Sequence, residues 1–233
     1  MRVLLVRGNP RKNGVCERLA DLFAAGLKSG GADVADFDVS GVLPCRGCFA
    51  CKRGGACVLR DIMDSVLPEL VSADALVCVS PVYFYSMNAQ LKAFFDRCFP
   101  LVNGYSYDSQ CGCFGTHTAF DSQKKFVSIS AAFGRLDGTF DALSQTYRAI
   151  AGSMGFDYCA DIKRGESVYF GSLGESSVRV RCILGSFEKA GAEFAKTGAI
   201  SPETISAMQL PIAPSDEAFS KRAAVFWRML NRE

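Results

Sequence analysis

Histidine is almost absent from this sequence, since His117 is the single one among 233 residues. One histidine cannot build a His-rich metal site or a catalytic centre that needs several imidazoles. A dominant charge of one sign is also missing, because 26 basic and 24 acidic residues leave a formal net charge of +2. This balance gives no electrostatic footprint for nucleic acid or an anionic membrane, so we expect neither as a partner.

Long hydrophobic runs are missing as well. No stretch approaches the ~20 apolar residues that span a bilayer, and the apolar run that begins at Val3 is interrupted by Arg7. We therefore expect neither a membrane span nor a secretory signal. With 49% apolar and 21% charged residues, the chain has an ordinary globular composition and can bury a full core.

Cysteine, by contrast, is abundant, with 11 residues. In the absence of a secretory signal we expect a cytoplasmic, reducing location, where cysteines serve metal or redox chemistry more often than disulfides. Those in apolar stretches are predicted to be small core residues; they are Cys78, Cys98, Cys159 and Cys182.

Strand and helix patterns alternate along most of the chain. Continuous apolar runs such as 3–6 and 75–79 are typical of parallel strands covered on both faces. Amphipathic helical stripes separate them and predict βαβ units with right-handed crossovers. The predicted strands are 3–6, 34–39, 75–79, 126–129 and 158–162, and the predicted helices include 61–71, 88–99 and 140–154, besides one carrying Leu19, Leu22, Phe23 and Leu27.

Two regions fall outside this alternation. Residues 101–124 form a long connection rich in Gly, Ser and Tyr, and residues 172–233 are predicted to be helical pieces separated by prolines. We therefore divide the chain into an α/β domain at 1–171 and a helical segment at 172–233, which completes the fold and contributes to a dimer interface. An apolar stripe at 216–230 includes Phe226 and Trp227.

The first loop (residues 8–14) lies between the first strand and the first helix. Ligands of open α/β sheets bind at this carboxyl edge, and the free N–H groups of a helix start suit a phosphate. The loop carries Arg11, Lys12, Asn13 and Gly14, but its spacing is neither a Walker loop nor a GxGxxG fingerprint. From residue types alone it is either a phosphate site or a tight turn with a solvated basic pair.

Three segments resemble the NADPH-dependent FMN reductase group of the flavodoxin-like superfamily. Residues 8–14 are similar to its G-S-P-R-K-N-G loop, 80–87 to its S-P-V-Y-F/W-G-S-M segment, and 90–97 to its Q-L-K-A-F-I-D-R helix. The resemblance covers residues 1–100 clearly. It implies a flavodoxin-like, doubly wound sheet of five parallel strands in the order 2-1-3-4-5, and bound FMN.

The family's flavin contacts carry over to three loops. They are Asn9, Arg11, Asn13, Gly14, Val15 and Cys16 at the phosphate, Pro81, Val82, Tyr83 and Phe84 at the isoalloxazine ring, and Ser130, Ala131, Ala132, Phe133 and Gly134 at its other edge. Asn9 replaces the usual Ser and Cys16 the usual Thr, so we expect weakened FMN binding because a thiol is a weaker donor. The alternative for the aromatic cluster at 83–85 is core packing.

The cysteine segment (residues 45–57) has the spacing C-x2-C-x2-C-x5-C. Four thiolates suit an iron–sulfur cluster or zinc, but zinc sites usually consist of two separated C-x2–4-C pairs. The compact run is typical of iron–sulfur proteins, and Gly54 and Gly55 allow the chain to return to the same cluster. We therefore predict one 4Fe–4S cluster, with zinc and no metal as alternatives. The predicted ligands are Cys45, Cys48, Cys51 and Cys57.

Basic residues follow the third cysteine of this segment. Positive charge from Lys52 and Arg53 favours the reduced, more negative state of a cluster. The alternative is a solvated basic turn. In the long connection, Cys111 and Cys113 form either a redox pair or free surface thiols, and His117 is a loop residue or a proton donor near the flavin.

A cysteine motif of this kind beside an FMN site resembles the iron–sulfur flavoprotein family. This implies an oxidoreductase without a side-chain nucleophile, which transfers electrons between FMN, a 4Fe–4S cluster and external small-molecule or protein partners, as a homodimer or dimer of dimers. The first alternative is a cluster-free FMN, quinone or nitro reductase that uses NAD(P)H as co-substrate. Two others are a flavodoxin-like electron carrier and a zinc-stabilised interaction module.

Overall fold

The computed structural model describes residues 1–108, 113–118, 120, 123–135, 138–173 and 177–231, and for 105–108, 113–118 and 171–173 only the backbone. The described strands are β1 (Arg2–Arg7), β2 (Asp33–Asp38), β3 (Ala75–Tyr83), β4 (Ser86–Met87), β5 (Val102–Asp108), β6 (Cys113–Thr118), β7 (Lys125–Ala131) and β8 (Asp157–Arg164). The described helices are α1 (Val15–Ser29), α2 (Ala50–Gly54), α3 (Met63–Ser72), α4 (Ala89–Arg97), α5 (Asp141–Met154), α6 (Val168–Leu173), α7 (Val178–Thr197), α8 (Pro202–Gln209) and α9 (Asp216–Asn231).

The central sheet has the strand order β2-β1-β3-β7-β8, and all these neighbours pair in parallel. Val3 of β1 pairs with Val34 of β2 and with Ala75 of β3, so β1 lies inside the sheet. This confirms the predicted doubly wound α/β fold and its order 2-1-3-4-5. The order reverses next to β1, where open α/β sheets bind their ligands.

Helices cover both faces of the sheet. On one face α1 and α7 pack together, and their Phe23 and Phe187 share a core cluster with Leu5. On the other face α3, α4 and α5 bury a second cluster that includes Phe94 and Tyr147. Helix α7 therefore belongs to the same core as β1, although the predicted boundary near residue 171 stays a prediction.

The structure adds elements that the sequence patterns did not predict. The segment 81–86 is not a simple loop, because β3 continues to Tyr83 and β4 returns antiparallel to it. The connection 101–124 contains the antiparallel pair β5–β6. Cys111 lies outside the described residues, as do the side chains of Cys113 and His117, so their predicted roles stay untested.

The core positions predicted for the cysteines need correction at two residues. Cys182 is exposed on α7 and Cys159 is only partly buried, whereas Cys78 and Cys98 are core residues as predicted. The C-terminal helices are separate pieces as predicted, and Pro202 begins α8 because its missing N–H is not needed at the first helical position. Among the helices that the structure describes, none combines the length and apolar character that crossing a bilayer requires.

Helices α1 and α7 are in backbone contact through two glycines. A Cβ added at Gly26 would lie 1.9 Å from the carbonyl oxygen of Glu188, and one added at Gly191 would lie 2.2 Å from that of Phe23. Neither distance is compatible with a real carbon atom. The absence of both side chains therefore sets how closely α7 approaches α1.

We expect Gly26→Ala to lower the free energy of unfolding by about 1–3 kcal/mol, because the added methyl group must push the two helices apart. Gly185→Ala is the matched control in α7, since a Cβ there meets nothing within 4 Å. This control should raise stability by about 0.5–1 kcal/mol through the higher helix propensity of alanine. Urea unfolding measures both changes, and equal effects of the two variants would contradict the close contact.

Candidate functional site

The first loop is held at the carboxyl edge of β1 by main-chain and side-chain bonds. The N–H of Gly8 donates to the carbonyl of Val79 at 2.8 Å, and the buried amide of Asn88 donates to the carbonyl of Gly8. Helix α1 begins after Gly14, which has no side chain to cap the helix. The N–H groups of the first turn and the helix dipole favour an anion there.

A cleft opens beside this helix start, and we call it the first-loop cleft. It is lined by Asn9, Pro10, Arg11, Gly14, Val15, Cys16, Pro81, Tyr83, Ala131 and Ser167. Eight of these, all except Pro10 and Ser167, are predicted FMN contacts. The structure thus brings together residues from all three predicted loops, which are far apart in the sequence.

Sequence reasoning missed Ser167. Its N–H donates to the carbonyl of Ala132 at 3.0 Å, and the neighbouring N–H of Glu166 donates to Gly134 at 2.9 Å. The loop after β8 is therefore fastened to the loop after β7, which brings Ser167 to the cleft. Its position just after the last parallel strand could have indicated this role, because the loops that form the cleft lie at that edge of the sheet.

The other predicted contacts lie outside the first-loop cleft. Asn13 lines a neighbouring depression with Lys12 and Glu17. Val82 packs against the core on the α4 side, and Phe133 contacts rings of α9. Their roles stay predictions, as do those of the remaining members of the set, Phe84, Ser130, Ala132 and Gly134.

Carboxylates near the phosphate end are neutralised by protein groups. Arg7 donates to Asp36 and Asp21, and these bonds raise the pKa of the guanidinium despite its burial. Glu17, in the first turn of α1, lies 3.3 Å from Arg7 and accepts from the Asn9 amide at 2.6 Å. A carboxylate that would repel a phosphate is thereby held in ion pairs and hydrogen bonds.

Asn9 also leaves an unused acceptor. Within the described residues its buried Oδ1 has no hydrogen-bond partner. An unsatisfied buried oxygen is costly, so a ligand N–H or O–H in the cleft would stabilise it. The ribityl hydroxyls of FMN are donors of this kind, and the residue set therefore fits FMN at both an anion end and a hydroxyl-bearing chain.

Cys16 is a neutral thiol in this arrangement. Burial raises the pKa of Cys16 to about 12, so the group is protonated at neutral pH. It lies at the start of α1, and its sulfur is close to the backbone of Ala131. Being uncharged, it does not repel a phosphate.

An aromatic turn (residues 83–86) projects beside the cleft. Phe84 and Tyr85 are its two central residues, and both have positive φ angles, 47° and 63°. Two such residues between antiparallel strands are typical of the primed hairpin turns, which usually contain Asn or Gly. Phe84 is 100% exposed and Tyr83 and Tyr85 are also exposed, so core packing is excluded for these rings.

The four predicted cluster ligands line one shared cavity, which we call the cysteine cavity. Its lining comprises Cys45, Arg46, Gly47, Cys48, Phe49, Cys51, Cys57, Val58, Leu59, Asp96, Arg97, Phe99 and Pro100. Left-handed backbone at Gly47, Phe49 and Gly55 allows the segment to wrap around this space. The N–H of Gly47 points to the Cys45 sulfur at 3.5 Å, the direction in which a thiolate accepts.

The described residues contain no group of three or more Cys, His, Asp or Glu side chains already placed to hold one metal ion. The donor set of four thiols around one cavity suits an iron–sulfur cluster or zinc. The choice of the 4Fe–4S cluster over zinc therefore stays a prediction from the cysteine spacing.

Lys52 fastens the cysteine segment to the end of α4. Its ammonium donates to the carbonyls of Phe99, at 2.6 Å, and Val102, and it lies 4.4 Å from the centre of the Phe99 ring. Lys52 is therefore held in place rather than freely solvated. Arg53 donates to the carbonyl of Cys48 at 3.4 Å and remains exposed.

The fold and the cleft define a flavodoxin-like α/β protein with a ligand site at the carboxyl edge of its parallel sheet. The model of the NADPH-dependent FMN reductase family matches residues 1–151. This chain therefore belongs to that family of oxidoreductases, as its motifs predicted.

Curated relatives match a little under half of the chain. An iron–sulfur flavoprotein of Methanocaldococcus jannaschii is 34% identical over 117 residues, which are 48% of this chain and 59% of the relative. One of Methanosarcina thermophila is 34% identical over 99 residues, 42% of this chain and 52% of the relative. The chain thus spans little more than half the length of the curated relatives it matches.

A solved structure agrees with the fold over more of the chain. An FMN-dependent NADH-azoreductase of Bacillus anthracis, in complex with FMN, has a TM-score of 0.62. The match covers 84% of this chain and 100% of the other, at 15% identity. At that identity it supports the architecture alone.

We expect Tyr85→Gly to raise the free energy of unfolding by about 1 kcal/mol, because glycine adopts the left-handed conformation without strain. The matched control is Tyr83→Gly in β3, where glycine weakens a strand and stability should fall. Thermal or urea unfolding compares the two. A loss of stability in both variants would show that Tyr85 makes compensating contacts.

Proposed function

We propose that this chain is an FMN-dependent redox protein of the iron–sulfur flavoprotein type, which transfers electrons between FMN, a 4Fe–4S cluster and external partners. The observation that carries the proposal is the convergence of Cys45, Cys48, Cys51 and Cys57 on one cavity. Membership of the FMN reductase family and the names of the matched relatives support it.

The first-loop cleft supplies the groups that FMN requires. Arg11 and the N–H groups at the start of α1 hold the phosphate, while Asn9 offers its buried acceptor to a hydroxyl group. Pro81 and Tyr83 border the ring end. Bound there, FMN exchanges electrons with two-electron and with one-electron partners, and it does so without a nucleophilic side chain.

The cysteine cavity supplies four sulfur ligands and an aromatic wall. Phe49 and Phe99 meet edge to face, with ring centres 5.8 Å apart, and both border the cavity. A 4Fe–4S cluster bound there supplies one-electron transfer. The electron donor or acceptor outside the protein is NAD(P)H, another small molecule or a protein, and the assembly is a homodimer or a dimer of dimers in a cytoplasmic location.

Anaerobic purification followed by absorption spectroscopy and metal analysis tests this function. Flavin bands with a broad iron–sulfur shoulder, together with iron and acid-labile sulfide, are the expected result. FMN without iron would instead make the chain a cluster-free NAD(P)H-dependent reductase, and zinc without FMN an interaction module. Stoichiometric reduction by NAD(P)H without sustained turnover would indicate an electron carrier.

We expect Cys48→Ala to lose most of the iron and sulfide while it retains FMN, because the four sulfurs serve the cluster and none of them lines the first-loop cleft. Cys182→Ala is the matched control, since Cys182 is an exposed thiol on α7. Iron, sulfide and flavin are quantified in the same samples. Equal metal content in both variants would overturn the assignment of Cys48 as a ligand.

We expect Arg11→Ala to weaken FMN binding at least about tenfold, because a charge-assisted hydrogen bond contributes roughly 1.5–3 kcal/mol. Riboflavin, which lacks the phosphate, should bind both proteins with similar affinity. Titration of flavin-free protein, followed by flavin fluorescence, measures both ligands, and Lys28→Ala in the last turn of α1 is the charge-matched control. A parallel loss of riboflavin affinity would refute the phosphate role of Arg11.

A further inference from the structure

Arg97 is a charged side chain that is almost completely buried at the cysteine cavity. It ends α4, is 1% exposed, and lines the cavity together with the four cysteines. Burying a guanidinium is expensive unless its hydrogen bonds and charge are satisfied. The groups around the guanidinium therefore indicate the role of its buried charge.

The guanidinium joins the two ends of the cysteine segment. Its Nη1 donates to the carbonyl of Leu43 at 2.9 Å, and its Nη2 donates to the carbonyl of Leu59 at 3.2 Å. Leu43 stands two residues before Cys45, and Leu59 two residues after Cys57. One side chain thus closes the loop on which all four cysteines are carried.

Asp61 pairs with the same guanidinium through two bonds. They measure 2.7 Å from Nη1 and 3.2 Å from Nη2, and the carboxylate side chain is 8% exposed. An arginine side chain does not lose its proton in proteins, and a carboxylate that accepts two of its N–H groups stays ionised. Arg97 and Asp61 therefore form a buried ion pair.

Arg97 also faces a cysteine of the segment. The sulfur of Cys57 lies close enough to interact with the guanidinium by charge and by hydrogen bonding, and within the described residues the buried Nε has no nitrogen or oxygen partner. Asp61 is not among the lining residues of the cavity. Arg97 therefore borders the cavity directly, whereas its partner Asp61 does not. The carboxylate that does line the cavity, Asp96, is exposed and pairs with Lys92.

We propose that Arg97 is a positioning residue of the cluster site, which clamps the cysteine segment closed and supplies an N–H group and a positive charge to the bound sulfur. This inference rests on the proposed cluster. An electron added to a 4Fe–4S cluster makes it more negative, so a nearby buried cation stabilises the reduced form. The negative charge of Asp61 partly cancels this stabilisation of the reduced cluster.

Substitutions of Arg97 and of Asp61 are expected to shift the reduction potential of the cluster in opposite directions. Arg97→Met should make the cluster harder to reduce, so that the reduced-to-oxidised ratio at a fixed electrode potential falls at least tenfold, or 59 mV for one electron. Asp61→Asn should make the cluster easier to reduce, because it exposes the cluster to the uncompensated cation. A purely structural role would not produce shifts in opposite directions.

Anaerobic spectroelectrochemistry of the purified protein measures the cluster potential in each variant. Arg60→Met is the matched control, because Arg60 is exposed, pairs with Asp64 and does not line the cavity. Its potential should stay at the wild-type value. Shifts of the same sign in Arg97→Met and Asp61→Asn, or shifts no larger than that of Arg60→Met, would overturn the electrostatic role.

Two further measurements apply if a variant fails to fold or to bind iron. Arg97→Lys retains the charge but cannot reach both carbonyls. Amide exchange over residues 43–59 of the metal-free protein should therefore become faster, and unchanged exchange would overturn the clamping role of Arg97. Wild-type protein without iron would overturn both the proposed cluster and the electrostatic role. A wild type that holds the cluster, with all variants at the same potential, would overturn the role of Arg97 alone.

Discussion

Helix α4 fixes the distance between the two candidate cofactor sites. At its start, Asn88 accepts a hydrogen bond from the N–H of Leu91 and donates to the carbonyl of Gly8, which holds the first loop. At its end, Arg97 holds the cysteine segment. Nine residue steps of about 1.5 Å separate these anchors by about 14 Å along the axis. The buried Leu91 and Phe94 keep the helix against the sheet, so neither site moves independently of the other.

The positions of the central strands and helices could be predicted because each carries its own local pattern. Strand β1 is an uninterrupted apolar run, and α1 shows a single buried stripe, so short windows of sequence are sufficient. The pair β5–β6 has no such pattern. Its Gly, Ser and Tyr residues are typical of a loop, and the two strands pair with each other across the connection.

The residues of the two candidate sites likewise differ in how far the sequence could predict them. Turn residues and motif spacing indicated the first loop and the four cysteines, because these residues are close together in the chain. Ser167 and Arg97 depend on contacts across 33 or more positions, such as the bonds of Ser167 to Ala132 and of Arg97 to Leu43. Nothing in their immediate neighbourhood marks them, and only the folded chain brings them to the two cavities.

The exposure of the cysteine segment makes its thiols sensitive to oxidation. Cys45 and Cys48 are exposed, whereas Cys16, Cys78 and Cys98 are buried thiols whose pKa values are raised by burial. Oxidation of thiols follows their exposure and ionisation, so dioxygen or peroxide attacks the segment before the core. A chain that meets oxidant before iron is therefore expected to form disulfides or sulfenic acids at the proposed cluster ligands, so reductant has to precede metal in assembly.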